Sequence, residues 1–206
     1  MKKTLLFFPL LLSFLLLETV HANTRTMSVK HLLTGQSYFK VTVWDDGLLN
    51  GEYAGWCADW NTRIEDDTLY HSRFYSSIAS SLPTDVVDHP EYLDEVNWLI
   101  NQNFVGKPAP DDLGVYTIGD VQLALWSLID DEFDSATVGS YLQARVDILV
   151  ARAKLEGANF NPGCMELVSI ILIPSDPTTG SGFQNTIILV PRYRFPKCVV
   201  PDSDEE

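Results

Sequence analysis

The sequence predicts one mixed α+β domain, because two kinds of hydrophobic pattern alternate along it. Residues 36–44, 166–173 and 185–193 are rich in Ile, Val and aromatic residues, as β-strands are. Residues 91–104 and 135–156 instead carry apolar side chains three and four positions apart, as amphipathic helices do. A chain of 206 residues can bury a sizeable core. We therefore expect a β-sheet or sandwich core with a helical insert and a C-terminal β-hairpin.

The first 22 residues are expected to be a signal peptide. Lys2 and Lys3 precede an apolar run that is short for a membrane span, and Val20-His21-Ala22 fits a cleavage site. The interpretation implies export through the Sec pathway and a protein that is secreted, on the cell surface or in the periplasm. An uncleaved N-terminal anchor is the alternative. The folded domain is then expected to span residues 23–200.

The chain is acidic, with a formal net charge of −14. Such a surface repels nucleic acid and anionic lipid, so neither is an expected partner. Several Asp doublets occur, but none has the alternating spacing of a calcium loop, and no Cys or His pattern fits zinc. The sequence predicts no metal and no cofactor. Residues 201–206 are expected to form a solvated acidic tail.

The first half of the domain is expected to run from strands into helices. After the strand at 36–44, the short aromatic stretch 53–60 is expected to be extended, which places Cys57 on a core strand or at its end. Apolar residues four apart at Tyr70, Phe74 and Ile78 predict a helix there, and a second helix is predicted over 91–104.

A further helix is predicted to start at Thr117. The spacing of Thr117 and Asp120 approaches a capping box, and the acidic side chain suits the positive end of the helix dipole. Gln122 lies in the first turns and shares a face with Trp126. Since the other faces are also apolar, we expect the helix to be mostly buried, and Gln122 with it.

The last elements are a helix over 135–156, stopped by Gly157, and a β-hairpin. With the hairpin turn centred near Gly180 and Ser181, Ile171 pairs with Pro191 and Cys164 falls opposite Cys198. This register predicts a Cys164–Cys198 disulfide.

Cys57 is then left over among three cysteines. A buried inert thiol, an intermolecular bridge and a disulfide to another cysteine are all open to it. The buried amide of Gln122 likewise has two solutions. It can hydrogen-bond to nearby backbone, or it can lose its nitrogen by condensing with the Cys57 thiol into a thioester.

The two segments Trp56-Cys57-Ala58-Asp59 and Val121-Gln122-Leu123-Ala124-Leu125-Trp126 resemble the paired motifs of the thioester domains of bacterial surface adhesins. The resemblance covers roughly residues 36–155. It implies an internal Cys57–Gln122 thioester that captures a nucleophile, an amine above all, on a host, matrix or other surface molecule. It implies single-turnover covalent binding rather than enzymatic catalysis.

In this interpretation Tyr53, Trp56 and Trp126 shield the bond from water, and Asp59 positions the backbone beside it. Two other classes of function compete. A Cys hydrolase needs a base near Cys57, for which the candidates by residue type are His31, His71 and His89. A non-covalent extracellular module for glycans or proteins would use exposed tryptophans, with Trp44, Trp56, Trp60 and Trp98 as candidates.

Overall fold

The computed structural model describes residues 25–32, 38–44, 47–79, 82–83, 86–130 and 133–195. The expected signal peptide, 1–22, and the acidic tail, 201–206, lie outside these residues. Six described strands close into one antiparallel barrel in the order β1-β2-β3-β6-β5-β4. The strands are β1 Arg25–His31, β2 Tyr38–Trp44, β3 Gly51–Cys57, β4 Tyr70–Ser76, β5 Leu167–Ser175 and β6 Thr186–Pro191.

Three helices pack together against the barrel. They are α1 Leu93–Asn101, α2 Ile118–Ile129 and α3 Gln143–Glu156. Helix α2 contacts both other helices, and α1 also contacts β5. None of the described helices is both long enough and apolar enough to cross a membrane. The mixed α+β class that the sequence predicts is confirmed.

The barrel interior is filled by side chains that alternate along each strand. Val41, Ile170 and Ile188 are among those that are almost fully buried. Gly55 is required where β3 crosses β2, because a Cβ at this position would lie 2.5 Å from Cγ2 of Val41. The barrel therefore has a packed apolar core rather than a channel.

Helix α1 is attached to β5 through two asparagines one turn apart. The Asn101 amide donates to the carbonyl of Leu167 and accepts from its N–H, both at 2.8 Å. Asn97 Oδ1 accepts from the N–H of Ser169 at 2.9 Å. The start of β5 pairs with β6, but β4 pairs with β5 only from Ile170 onward, so these side chains satisfy backbone groups on the side of β5 that lacks a β4 partner.

The prediction of a helix around Tyr70 and Phe74 is wrong, because this segment is β4. A four-residue spacing puts side chains on one face of a helix, but it does the same on a strand of period two. Strand β1 was not predicted either. Its pairing with β4 closes the sheet, so the core is a barrel and not a sandwich. Among the described elements, only α1 and the 3₁₀ turn before it at Pro90–Tyr92 lie between β4 and α2.

The predicted helix over 135–156 is shorter than expected. Ser135–Thr137 forms a 3₁₀ turn, and α3 begins at Gln143. Gly157 follows the last residue of α3 as predicted. A Cβ on Gly157 would lie 2.9 Å from the Cα of Glu95 in α1, so the glycine is also needed for close packing.

The predicted hairpin exists, but its register differs by four residues. Ile171 pairs with Ile187, and Pro191 pairs with Leu167. The reason lies in the turn, where the Asp176 carbonyl accepts from the N–H of Gly180 at 2.9 Å and Gly180 has a φ of +74°. The turn is thus centred two residues earlier than expected.

The predicted register placed Cys164 opposite Cys198, but the observed register, extended to Cys164, would place position 194 opposite it. The register therefore no longer predicts a contact between the two cysteines. Cys198 lies outside the described residues. The disulfide between these two cysteines therefore stays a prediction. The register differs by an even number of residues, so the same side chains of β5 and β6 face inward and outward in both registers.

Candidate functional site

Cys57 is the last residue of β3, and its side chain belongs to the inward-facing set. It is fully buried and is a free thiol. Its register partner is Thr186 on β6. The pairing of β2 with β3 ends one residue earlier, at Tyr38 and Trp56, so among the described residues the backbone of Cys57 has no β2 neighbour.

Helix α2 positions Gln122 against this gap. The helix begins with the capping box that the sequence predicts: Thr117 accepts from the N–H of Asp120, whose carboxylate accepts from the N–H of Thr117. Gly119 lets the helix approach the chain at Ser140, because a Cβ there would lie 2.6 Å from the Ser140 carbonyl oxygen. Gln122 is only 1% exposed, as expected.

Cys57 and Gln122, 65 positions apart in sequence, are in direct contact. The N–H of Cys57 donates to Gln122 Oε1 at 3.1 Å, and Gln122 Nε2 donates to the Cys57 carbonyl at 2.8 Å. The amide side chain thus replaces a neighbouring strand for one residue. Both its oxygen and its nitrogen are hydrogen-bonded to backbone, which is the first of the two solutions considered for this amide.

The thiol of Cys57 is held in its protonated form. Burial raises its pKa far above the ordinary value, and the negative charges of Asp59 and Asp130 add to the increase. The Asp59 backbone and the nearby Trp126 side chain lower this pKa, but they oppose the increase only in part. The S–H lies 3.0 Å from the Asp59 carbonyl oxygen, to which it donates.

Asp59 also shapes the turn that follows Cys57. Its carboxylate accepts from the N–H of Asn61 at 2.8 Å and from the Thr62 hydroxyl at 2.9 Å. These two bonds turn the chain away from β3 immediately after the thiol. The role predicted for Asp59, positioning the backbone beside a thioester, stays a prediction.

The three aromatic residues proposed as shields are placed differently. Trp126 is fully buried on α2, one turn after Gln122, and its side chain interacts with the thiol. Trp56 faces the opposite side of the sheet from Cys57 and contacts the ring of Tyr38. Tyr53 lies four residues back along β3, roughly 13 Å away, and its hydroxyl donates to the Leu49 carbonyl. The structure brings Trp126, but not Tyr53, to the thiol.

A polar cleft of about 230 Å³ opens beside the residues that follow Cys57. It is lined by Ala58, Asp59, Asn61, Val86, Val87, Asp88, Ile129, Asp130 and Asn185. Neither Asp130 nor Asn185 is among the site residues that the sequence predicts. Asp130 carried a usable signal, because it lies four residues after Trp126 and eight after Gln122. Asn185 carried none, because strand pairing alone brings it here.

None of the three histidines that the structure describes offers a base to Cys57. His71 is exposed on the outer face of β4, whereas the thiol is buried. His31 is paired with Asp66, and His89 with Glu91. None of the three is among the groups that shift the pKa of the thiol. In the part of the chain that the structure describes, no group of three His, Cys, Asp or Glu residues is arranged to hold a metal ion.

A second cavity, of about 390 Å³, lies on the outer side of β3. Trp56, Leu99, Phe104 and Val121 contribute to its walls, together with Leu167 and Leu189 of the hairpin strands. Its lining is mainly apolar. It belongs to the other face of the sheet from the Cys57 thiol.

No protein-family model matches this chain, and a comparison with curated proteins finds no match.

Proposed function

We propose that this chain is an exported domain that joins Cys57 to Gln122 in a thioester and uses this bond to capture an amine on a host, matrix or other surface partner. The observation that carries the proposal is the contact between two buried side chains from distant parts of the chain. One is a free thiol, and the other is the amide of a helix that resembles the thioester-domain motif. The likeness in sequence and the juxtaposition in space both support the proposal.

The contact supports a route to the bond. The N–H of Cys57 donates to Gln122 Oε1, which polarises the amide carbonyl and draws charge onto its oxygen. When the sulfur attacks the Gln122 acyl carbon, the C–S bond forms and the C–N bond breaks. The thiol proton leaves with the amide nitrogen as ammonia. Because the resident pair is buried, water is kept from the product.

In the capture step, the thioester is the electrophile and the partner supplies the nucleophile. A partner's amine attacks the acyl carbon, the C–N bond forms and the C–S bond breaks, so the partner becomes joined to Gln122 through an amide and Cys57 becomes a thiol again. The cleft beside Cys57 carries Asp59, Asp88 and Asp130, whose negative charges attract an ammonium group. A lysine side chain is the amine that surface proteins present most often. Each molecule reacts once, so the process is not catalysis.

Intact mass of the purified exported chain tests the proposal. Denatured without reductant or amines, the protein is expected to weigh one ammonia less than its sequence after allowance for one disulfide. The Cys57→Ala and Gln122→Ala variants are each expected to lose this deficit, because the bond needs both side chains. An unmodified Gln122 and an alkylatable Cys57 in fresh protein would overturn the proposal.

A non-covalent binding module is the second candidate, and the apolar cavity beside Trp56 is the observation that favours it. If the mass deficit is absent, Trp56→Ala is expected to weaken binding to the target surface, whereas Gln122→Ala is not. If the thioester forms, boiling-resistant adducts with the target should depend on Gln122 instead.

A further inference from the structure

Two buried hydrogen-bond donors beside Cys57 have no aligned partner among the described residues. They are the Nε1 of Trp126 and the Oγ1 of Thr186, and both residues are 0% exposed. Buried donors are nearly always paired, because an unpaired donor has lost its water and gained nothing in return. Two such groups flanking one reactive residue therefore require an explanation.

The indole of Trp126 approaches the sulfur from the helix side. Trp126 lies one turn after Gln122, on the helix face that contacts Cys57. Its ring stacks on Phe133 with centroids 5.9 Å apart, which fixes its orientation. The N–H is near enough to lower the pKa of the Cys57 thiol, although it does not meet the geometry of a formed hydrogen bond.

The hydroxyl of Thr186 approaches from the sheet side. Thr186 is the register partner of Cys57, and both side chains are fully buried. Side chains of directly opposite residues lie on the same face of a sheet, with Cβ atoms about 4.5–5.5 Å apart. The hydroxyl and the thiol are therefore neighbours inside the barrel mouth.

We propose that Trp126 Nε1–H and the Thr186 hydroxyl form a donor pair that stabilises the Cys57 sulfur as it departs from the Gln122 acyl group. The inference rests on the proposed thioester. As an amine forms its C–N bond to the acyl carbon, the electron pair of the breaking C–S bond goes to sulfur. The proton lost by the amine nitrogen ends on that sulfur, and both donors keep their own protons.

The departing sulfur needs such donors. It leaves with negative charge in a buried site that already faces the carboxylates of Asp59 and Asp130. A charge that develops in a dry site is stabilised most by fixed donors already in place. Donors left unpaired in the resting protein have this property, since no other bond has to be broken before they act.

The test uses Thr186→Val and Trp126→Phe, with Trp98→Phe as the matched control at a buried tryptophan of α1. Each protein is first weighed to establish that the thioester is present. Its loss is then followed by mass with two amines of similar size, the strongly basic ethylamine and the weakly basic trifluoroethylamine. Sulfur departure limits the rate for the weakly basic amine, because that amine is itself expelled easily from the addition intermediate.

Both donor variants are expected to react about 10-fold or more slowly with trifluoroethylamine but within about 3-fold of the unmodified chain with ethylamine. The control is expected to follow the unmodified chain with both amines. A structural role would change the two rates alike, so equal effects overturn the donor pair. Unchanged rates in variants that carry the thioester overturn it too and leave the proposed function intact. Absence of the mass deficit from the unmodified chain overturns both.

Thr186→Val keeps the test decisive if Trp126→Phe fails to form the bond. Valine has the same shape as threonine, and replacing an unpaired buried hydroxyl by a methyl group is expected to leave stability unchanged or raised. A variant that is at least as stable but releases sulfur more slowly with the weak amine supports the proposal.

Discussion

The carboxylate of Asp120 on α2 lies 2.7 Å from Nε of Arg145 on α3. Asp120 has no exposed side-chain surface, and the Arg145 side chain is 12% exposed. The same carboxylate caps α2 and accepts from the N–H of Leu142 at 2.8 Å, immediately before α3. One side chain therefore fixes both the start of the Gln122 helix and its neighbour.

Asp120→Asn is expected to lower the free energy of unfolding by about 2–4 kcal/mol, because it leaves the Arg145 charge without its partner in a largely buried site. Urea unfolding measures this loss. Glu52→Gln is the matched control, since its partner Lys40 is solvent-exposed and the expected change is below about 0.5 kcal/mol. Equal stabilities for the two variants would contradict the structural role assigned to Asp120.

Gln122 is expected to stabilise the end of β3 whether or not it reacts. Gln122→Met keeps most of the side-chain volume but removes both bonds that the unreacted amide makes to the Cys57 backbone, at a cost of about 1–3 kcal/mol for each group left unpaired. Gln143→Met on the exposed start of α3 is the control.

Hydrogen exchange gives the local measurement for this variant. The Cys57 N–H donates to Gln122 Oε1, so Gln122→Met is expected to accelerate its exchange more than that of the Gly55 amide in the same strand. Uniform acceleration along β3 would show that the effect is general loosening rather than loss of this contact.

Patterns among neighbouring residues in the sequence were enough to predict those features of the site that depend on a single helix or strand. The spacing of Thr117 and Asp120 predicted the start of α2, and the apolar residues around Gln122 predicted its burial. The aromatic neighbours of Cys57 predicted that it lies on a core strand or at its end. None of this required knowledge of which elements meet.

Non-local features were out of reach for a physical reason. Strand β4 shows a four-residue spacing that helices and strands share, so periodicity alone could not assign it. Closure of the barrel depends on the pairing of β1 with β4. These strands are far apart in sequence, because 38 residues lie between His31 and Tyr70. Thr186 reaches Cys57 only through the pairing of β3 with β6.

Cys164 and Cys198 are expected to be joined, although the hairpin register no longer supplies the reason. Cys57 is a free buried thiol and Cys164 is disulfide-bonded, so in a chain with three cysteines the expected partner of Cys164 is Cys198. Non-reducing digestion should yield one linked pair of peptides, and Cys164→Ser should cost about 2–4 kcal/mol of stability. Cys57→Ala should leave this linkage intact. A peptide that links Cys57 to either of the other cysteines would contradict both the disulfide and the proposed thioester.

The pH dependence of stability distinguishes a thiol from a thioester at Cys57. Burial raises the pKa of the free thiol in the folded chain, whereas the unfolded chain ionises near the ordinary value of about 8.5. Below that value the thiol is neutral in both states and its contribution to stability is fully present. Above it the unfolded state releases a proton that the folded state retains, so stability falls by up to about 1.4 kcal/mol per pH unit.

Gln122→Met, which holds a free thiol, is therefore expected to lose stability between pH 8.5 and 10 more steeply than the double variant with Cys57→Ala. Urea unfolding at each pH measures the difference. Tyrosine and lysine titration contribute equally to both variants, so they cancel in the comparison. The unmodified chain is expected to behave like the double variant, because a thioester sulfur has no proton to lose. If its stability instead falls as steeply as that of Gln122→Met, Cys57 is a free thiol in the native protein and the covalent mechanism fails.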